Sequence, residues 1–329
     1  MSVTKPSRAL LVPQYATDKA DIHFARSAPR HLVGRSAVAE VLITDWRRLG
    51  PDTFRLGAQW PRGHTFYPPI AGAWHDPLLA AETLWQASVL VGQTYYGVPA
   101  DQHPVMAELD LDIVPSAILL GPRPAEIRLE ISGSDVQSPH GMLTGMTLEV
   151  ELLRGDEFVG TGRVALRLPA EAPRTDEART AEHAGRQARP NGLPPRPEPV
   201  PAAIVGRLDE RDVVLGIPRP APARRGHTWT LRTDPSHPVL FDHPTDHVPA
   251  MLLLEAARQA AQAVCAPYRM LPVELRSAFH GYVELDIPCH IAATKLPPQD
   301  AGEDAVVRVT GSQDGKLLFD SLVVGRHCD

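Results

Sequence analysis

Glu255 and Arg258 stand three residues apart in VPAMLLLEAARQAAQAV (248–264), a run otherwise made mostly of leucine, methionine and alanine. On a helix that spacing puts carboxylate and guanidinium on one face, with Gln259 and Gln262 continuing along it. Met251, Leu252, Leu253, Leu254, Ala256, Ala257, Ala260 and Ala261 make the helix apolar nearly all round. Such a helix is buried rather than laid on a surface. A buried ion pair is a poor source of stability, because desolvating both charges can exceed the Coulombic gain. The charges are therefore either a structural link between helix and sheet or part of a substrate site. The upstream segment HPTDH (243–247) favours a site, since it adds His243, Asp246 and His247 just before the helix. The start of a helix presents backbone N–H groups and suits an oxyanion or a phosphate. A carboxylate, imidazoles and an electropositive helix end together fit acyl transfer or dehydration.

The first half of the chain carries a weaker copy of the pattern. WHDPLLAAETLWQASVLVGQ (74–93) sets Glu82 on Glu255 and Gln86 on Gln259 at an offset of 173 residues, which also sets His64 on His237. ELDLDI (108–113) and VELDI (283–287) match after a one-residue shift. Collinear matches of this kind imply an internal duplication. Around each helix lie runs with alternating or β-branched residues, among them VMAELDLDI, AEIRLEIS, LTGMTLEVELL and FVGTGRVALRL in the first half. In the second half WTLRT, AFHGYVELDI, CHIAAT, AVVRVTG and KLLFDSLVV read the same way, and QDG (313–315) reads as a hairpin turn. Asp76-Pro77 is a helix entry signal, with Asp246 or His247 as the capping candidate in the second half. The predicted fold class is α+β, a double hotdog, in which each of two copies wraps an antiparallel sheet around one long buried helix.

Composition narrows the alternatives. The chain has 329 residues, a net charge of -6, three scattered cysteines and 34 prolines. The charge argues against a nucleic-acid binder, and the cysteines against a disulfide framework or zinc site. Prolines and charge concentrate after Pro169, so 169–199 reads as a semi-rigid linker between an N-terminal repeat (1–168) and a C-terminal repeat (200–329). No apolar run reaches the ~18 residues a membrane helix needs, and residues 1–21 lack the apolar core of a secretory signal. A soluble cytoplasmic protein is expected. His243 and His247 are four apart, but Pro244 disfavours the helix on which that spacing would hold zinc, so no metal is expected. No glycine-rich loop indicates a nucleotide cofactor, and none is expected.

Five segments resemble the A-factor biosynthesis family of γ-butyrolactone synthases: EVLITDW (40–46), FRLGAQWPRGHTFY (54–67), HDPLLAAETLWQ (75–86), YYGVP (95–99) and FDHPTDHVPAMLLLEAARQA (241–260). A more distant resemblance, through VPAMLLLEA, is to hotdog thioester dehydratases, with Ala250 where those carry glycine and His243 about two residues too close to the Glu. Membership of the first family implies a double hotdog that transfers a β-ketoacyl group to the hydroxyl of dihydroxyacetone phosphate. The donor would be an acyl carrier protein or acyl-CoA thioester, and two such chains could pair as a homodimer. In that chemistry Glu255 would take the acceptor proton and Arg258 would hold the phosphate or the developing oxyanion. N–H groups near Ala250 and Met251 would polarise the carbonyl, and His243 and His247 would orient the acceptor or relay protons. Asp246, Gln259, Glu82 and His64 complete the expected substrate-binding set. The first copy departs from the family pattern. Trp85 stands where an arginine is usual, and Gly34-Arg35 stand where a histidine is usual just before the first strand. The second copy is accordingly expected to carry the chemistry, the remaining alternatives being a hydratase or dehydratase and a non-catalytic acyl-binding protein.

Overall fold

The computed structural model describes residues 22–100, 102–139, 142–168, 194–217, 227–297 and 304–328. The N-terminal 21 residues and most of the expected linker, 169–193, lie outside them. In the first half, β1 (Ile43–Arg48) and β2 (Thr53–Trp60) precede α1 (Leu78–Tyr95), which is followed by β3 (Val105–Ile113), β4 (Ala125–Gln137), β5 (Gly145–Arg154) and β6 (Glu157–Arg167). In the second, β7 (His227–Thr230) precedes α2 (Ala250–Cys265), followed by β8 (Met270–Phe279), β9 (His290–Leu296), β10 (Ala305–Gln313) and β11 (Lys316–His327).

Alternation makes these strands. β3 buries Leu109, Leu111 and Ile113 and turns Glu108, Asp110 and Asp112 outward; a bulge between Met106 and Glu108 resets the alternation, so Met106 and Ala107 are both buried. The two-residue turn between β10 and β11 has Asp314 and Gly315 at φ 48° and 78°, the paired left-handed conformation that suits a tight hairpin. All strands join one antiparallel sheet of 11, in the order β1-β2-β4-β5-β6-β3-β8-β11-β10-β9-β7. Read outward from its centre the order repeats: β3, β6, β5, β4, β2 on one side and β8, β11, β10, β9, β7 on the other. That is the double hotdog, with α1 and α2 packed on the sheet and touching each other.

The centre of the sheet fixes the internal symmetry. β3 pairs with β8 through Asp110 to Arg276 and Leu111 to Leu275, and each strand carries one bulge, at Ala107 and at Val273, so counterparts lie 166 positions apart (107 to 273, 110 to 276). The expected equivalence of ELDLDI with VELDI is thereby corrected. VELDI forms no strand, and the partner of β3 is β8. The offset falls from 173 in the helices to 166 in the strands because fewer residues connect helix to sheet in the second half: 266–269 link α2 to β8, whereas 96–104 link α1 to β3. Capping also differs between the halves. Asp76 Oδ1 accepts the Leu78 N–H at 3.0 Å, as expected. α2 instead starts after Pro249 with no side-chain cap, because Asp246 and His247 bond to each other at 2.7 Å rather than to the helix. Among the described residues no helix is long and apolar enough to cross a membrane.

Candidate active site

Helical spacing along α2 gathers Glu255, Arg258 and Gln259 as expected. Arg258 donates from Nε to Glu255 Oε2 at 2.9 Å and from Nη2 to Oε1 at 2.8 Å, and Gln259 Nε2 donates to Oε1 at 2.5 Å. A second guanidinium, not anticipated, completes the shell. Arg207 donates from Nε to Oε1 at 2.7 Å and from Nη2 to Oε2 at 2.5 Å. Glu255 is 0 % exposed, and both of its oxygens are taken. Burial alone would raise this carboxyl, but Arg207 and then Arg258 outweigh it and hold the carboxyl down at about 2. Arg258 is equally committed, since its Nη2 also meets the Val205 carbonyl at 3.1 Å.

Arg207 is delivered by a short turn. Residues Ala202–Val205 form one 3₁₀ turn that ends at Gly206 with φ 69°, where a side chain would strain the backbone, and Arg207 follows. The first half repeats this. Arg30–Val33 form the turn, Gly34 has φ 64°, and Arg35 follows. Arg35 Nε donates to Glu82 Oε1 at 2.8 Å and its Nη2 reaches the same oxygen, as does Gln86 Nε2 at 2.6 Å. The arginine of each site was thus written in the sequence as VGR at 33–35 and again at 205–207, an offset of 172. Gly34-Arg35, read there as a missing histidine, is the arginine of the first site.

The likeness extends to the surrounding bonds. Gln86 accepts the Leu42 N–H at 2.9 Å and donates to the Glu40 carbonyl at 2.7 Å; Gln259 accepts the Val214 N–H at 3.0 Å and donates to the Asp212 carbonyl at 2.7 Å. Each site also has a turn histidine whose Nδ1 accepts two backbone N–H groups, so the ring proton sits on Nε2 and faces an acid. His64 faces Glu40 at 3.3 Å and His237 faces Asp212 at 3.2 Å. His64 is therefore a backbone-bonded turn histidine that also faces the site.

The two sites differ in what remains open. Position 258 is arginine in the second half, and its counterpart in the first is the half-buried Trp85. All three donors to Glu82 converge on Oε1, and Oε2 takes no hydrogen bond among the described residues. The Arg35 and Glu82 side chains keep 10 % and 7 % exposure, against 1 % and 0 % for Arg207 and Glu255. Tyr67, buried next to this site, has its phenol pushed well up by burial and then by the Glu82 charge.

Each site borrows from the other half. The Phe66 carbonyl accepts from Arg207 Nη1 at 2.5 Å, the Phe66 ring lies 4.5 Å from the guanidinium carbon, and Asp76 stands 3.6 Å from Nη1. Burial raises the Asp76 carboxyl despite Arg207 and Arg258 beside it. In the opposite sense, Asp242 accepts the Ser36 and Ala37 N–H groups at 2.5 and 2.9 Å, directly after Arg35. This carries His243 towards the first half, where its ring stacks on His103 with centroids 6.3 Å apart. Among the described residues, His243 meets Asp242 and His103 and not the shell of Glu255. His247 packs on Tyr282 at 4.6 Å, and with the exposed Asp246 forms a separate pair outside that shell. Ala250 and Met251 open α2, ahead of its first internal hydrogen bonds to the Pro249 carbonyl. Of the expected residues, Glu255, Arg258 and Gln259 meet in one site, Glu82 and His64 belong to the other, and His243 approaches the latter through Asp242.

The family comparison agrees with this duplicated plan. The A-factor biosynthesis hotdog domain (AfsA) matches the chain twice, over residues 16–168 and 188–328. The 2-oxo-3-(phosphooxy)propyl 3-oxoalkanoate synthase of Streptomyces virginiae is 41% identical over 297 residues, covering 90% of this chain and 97% of that protein. A synthase of the same name from Streptomyces griseus subsp. griseus is 38% identical over 321 residues, covering 97% and 98%. Among solved structures, the 12:0-ACP thioesterase from Umbellularia californica aligns with a TM-score of 0.48 and 10% identity, over 84% of this chain and 94% of that one.

Proposed function

Because the chain belongs to the A-factor biosynthesis hotdog family, we propose that it joins a 3-oxoacyl group to the free hydroxyl of dihydroxyacetone phosphate. The acyl group comes from a carrier-protein or coenzyme A thioester. The observation that carries this reading is the near end-to-end similarity to synthases named for that ester. The ester in their name divides into a 3-oxoalkanoyl part and a 2-oxo-3-(phosphooxy)propyl part, and the second is dihydroxyacetone phosphate bonded through its hydroxyl oxygen. The product serves as precursor to a γ-butyrolactone signal. Dihydroxyacetone phosphate is a soluble metabolite, and the cytoplasm is where we expect the protein to act.

The step is a transesterification. The acceptor hydroxyl oxygen attacks the thioester carbonyl, a carboxylate takes its proton, the C–S bond breaks, and the departing thiolate recovers that proton. A base must have an accessible lone pair. Glu255 has both oxygens claimed by two guanidinium groups and a conjugate acid near 2, so it serves to hold Arg207, Arg258 and Gln259 in place. Glu82, with Oε2 unclaimed beside Arg35 and the Asp242–His243 segment of the other half, is the carboxylate suited to the proton transfer. Arg35 would steady the oxyanion in the tetrahedral state.

Mass spectrometry of the purified protein supplied with a 3-oxoacyl thioester and dihydroxyacetone phosphate tests the reading. The phosphorylated ester should accumulate, and Glu82→Gln should slow its formation by about 10²-fold or more. Gain or loss of water on hydroxyacyl or enoyl thioesters without ester formation would instead make the protein a hydratase or dehydratase. No turnover of any thioester would leave it an acyl-binding protein.

A further inference from the structure

Arg258 was expected to hold the phosphate or the developing oxyanion, yet it is spent on Glu255. A phosphate-bearing substrate needs another cation, and the second half supplies three around one pocket. Arg196, Arg211 and Arg232 line it together with Asp234, His237 and Leu252, the last in the first turn of α2. Arg196 Nη1 pairs with Asp234 at 2.7 Å. Arg232 is held by Nε on the Pro197 carbonyl at 2.8 Å and by Nη1 on the Val213 carbonyl, while its Nη2 carries no hydrogen bond among the described residues. The exposed Arg211 side chain makes none either. Burial and then the neighbouring Arg196 charge lower the Arg232 guanidinium, while Glu210 and Asp234 act in the opposite sense.

The first half lacks this feature at every position. The 172-residue offset places Phe24 and Ala39 where Arg196 and Arg211 stand. Gln59 occupies the place of Arg232, as matching backbone bonds show: Gln59 N–H to the Leu42 carbonyl at 2.9 Å and Arg232 N–H to the Val214 carbonyl at 2.8 Å. The duplicated halves share their Glu–Arg–Gln and His–acid groups, and the first half builds the same fold without arginine at any of these three positions. The pocket also communicates with the buried site. His237 on its wall bonds Asp212, whose carbonyl accepts from Gln259, which donates to Glu255.

We propose that the pocket of Arg196, Arg211 and Arg232 is a subsite for a substrate phosphate group. Arginine forks suit phosphate oxygens, and the first turn of α2 adds its own favourable field. The inference rests on the proposed synthase reading as far as the source of the phosphate is concerned. That source is either the acyl acceptor or the phosphopantetheine or coenzyme A part of the donor.

Arg211→Ala is the variant of choice, because its side chain supports no other group. Calorimetric titration with inorganic phosphate should show binding to the unaltered protein and at least a roughly ten-fold loss in the variant, as expected when a charge-assisted hydrogen bond is removed. Equal phosphate affinity in both, or no binding to either, would overturn the subsite. This readout does not depend on turnover, so it stands even if no ester is ever formed. Where ester does form, a raised KM for dihydroxyacetone phosphate with an unchanged donor KM assigns the pocket to the acceptor. A raised donor KM alone assigns it to the donor, and an unchanged KM for both removes it from the reaction.

Discussion

Arg207 and Glu255 form a fork-to-fork pair, Nε on Oε1 at 2.7 Å and Nη2 on Oε2 at 2.5 Å, with side chains no more than 1 % exposed. The two come from elements 48 residues apart, so the pair locks a turn that precedes β7 onto the centre of α2. Burial lowers the Arg207 guanidinium, but Glu255 and Asp76 more than reverse this and keep it charged. Removing one partner of such a pair leaves a buried charge short of a counter-ion and a carbonyl, that of Phe66, without its donor. Arg207→Ala should lower unfolding stability by about 3–5 kcal/mol. Arg207→Lys should recover little, because an ammonium cannot span both oxygens and reach Phe66 as well. Urea unfolding at pH 7 checks both, and a loss under ~1 kcal/mol, the range of surface pairs, would mean that solvent reaches the site.

The same carboxylate sets an acid-sensitive window. Its folded value near 2 lies below the ordinary 4.5, so between those values the unfolded chain binds the proton more readily. Stability from Glu255 is fully present above about pH 5 and drains away as pH falls towards 2. The shift corresponds to about 3 kcal/mol. The stability gap between the unaltered protein and Glu255→Gln should shrink steadily from pH 5 to pH 3. A gap that stays constant over that range would show that the carboxyl titrates normally.

Much of this arrangement was legible in the sequence because it is local. The α2 spacing fixes Glu255, Arg258 and Gln259 on one face, and the 173-residue offset finds Glu82 and Gln86. What escaped was set by chain returning from elsewhere. Arg207 lies in a short loop turn with no periodicity to mark it, although the repeated VGR held the signal. His243 precedes α2 in sequence, and so was expected beside Glu255, whereas its neighbour Asp242 was not singled out. They instead extend across to Ser36 and Ala37 of the other half, a contact that only the docking of the halves creates. The VELDI match failed for a related reason, since β3 and β8 are equivalent by their pairing at the sheet centre and not by their letters.

The open Oε2 of Glu82 and the sealed state of Glu255 predict opposite signatures for one chemical change. Glu82→Gln should cut kcat by about 10²–10⁴, the span usual for a general base, with little change in unfolding midpoint. Glu255→Gln should lower the midpoint clearly, while the folded fraction keeps kcat within about ten-fold, since no proton-transfer share of the size just cited is being removed. Steady-state kinetics beside thermal unfolding of both variants reads the split. Reversed assignments would return the catalytic role to the second half.

Trp85 offers a direct test of why the two halves diverged. It occupies the place of Arg258, three residues after the site glutamate, and so faces Glu82 at the spacing that lets Arg258 reach Glu255. Trp85→Arg would bring a second guanidinium within reach of Oε2 and convert Glu82 into a pinned carboxylate like Glu255. A second cation favours the ionised form and removes the free lone pair. The variant should therefore lose activity, by about ten-fold or more if the base is engaged for most of the time, and the acidic limb of its kcat–pH profile should move to lower pH. Trp85→Leu separates charge from packing, since it removes the ring without adding a cation and should leave that limb where it was. If Trp85→Arg were as active as the unaltered protein with an unmoved profile, Glu82 would not be the group that takes the proton.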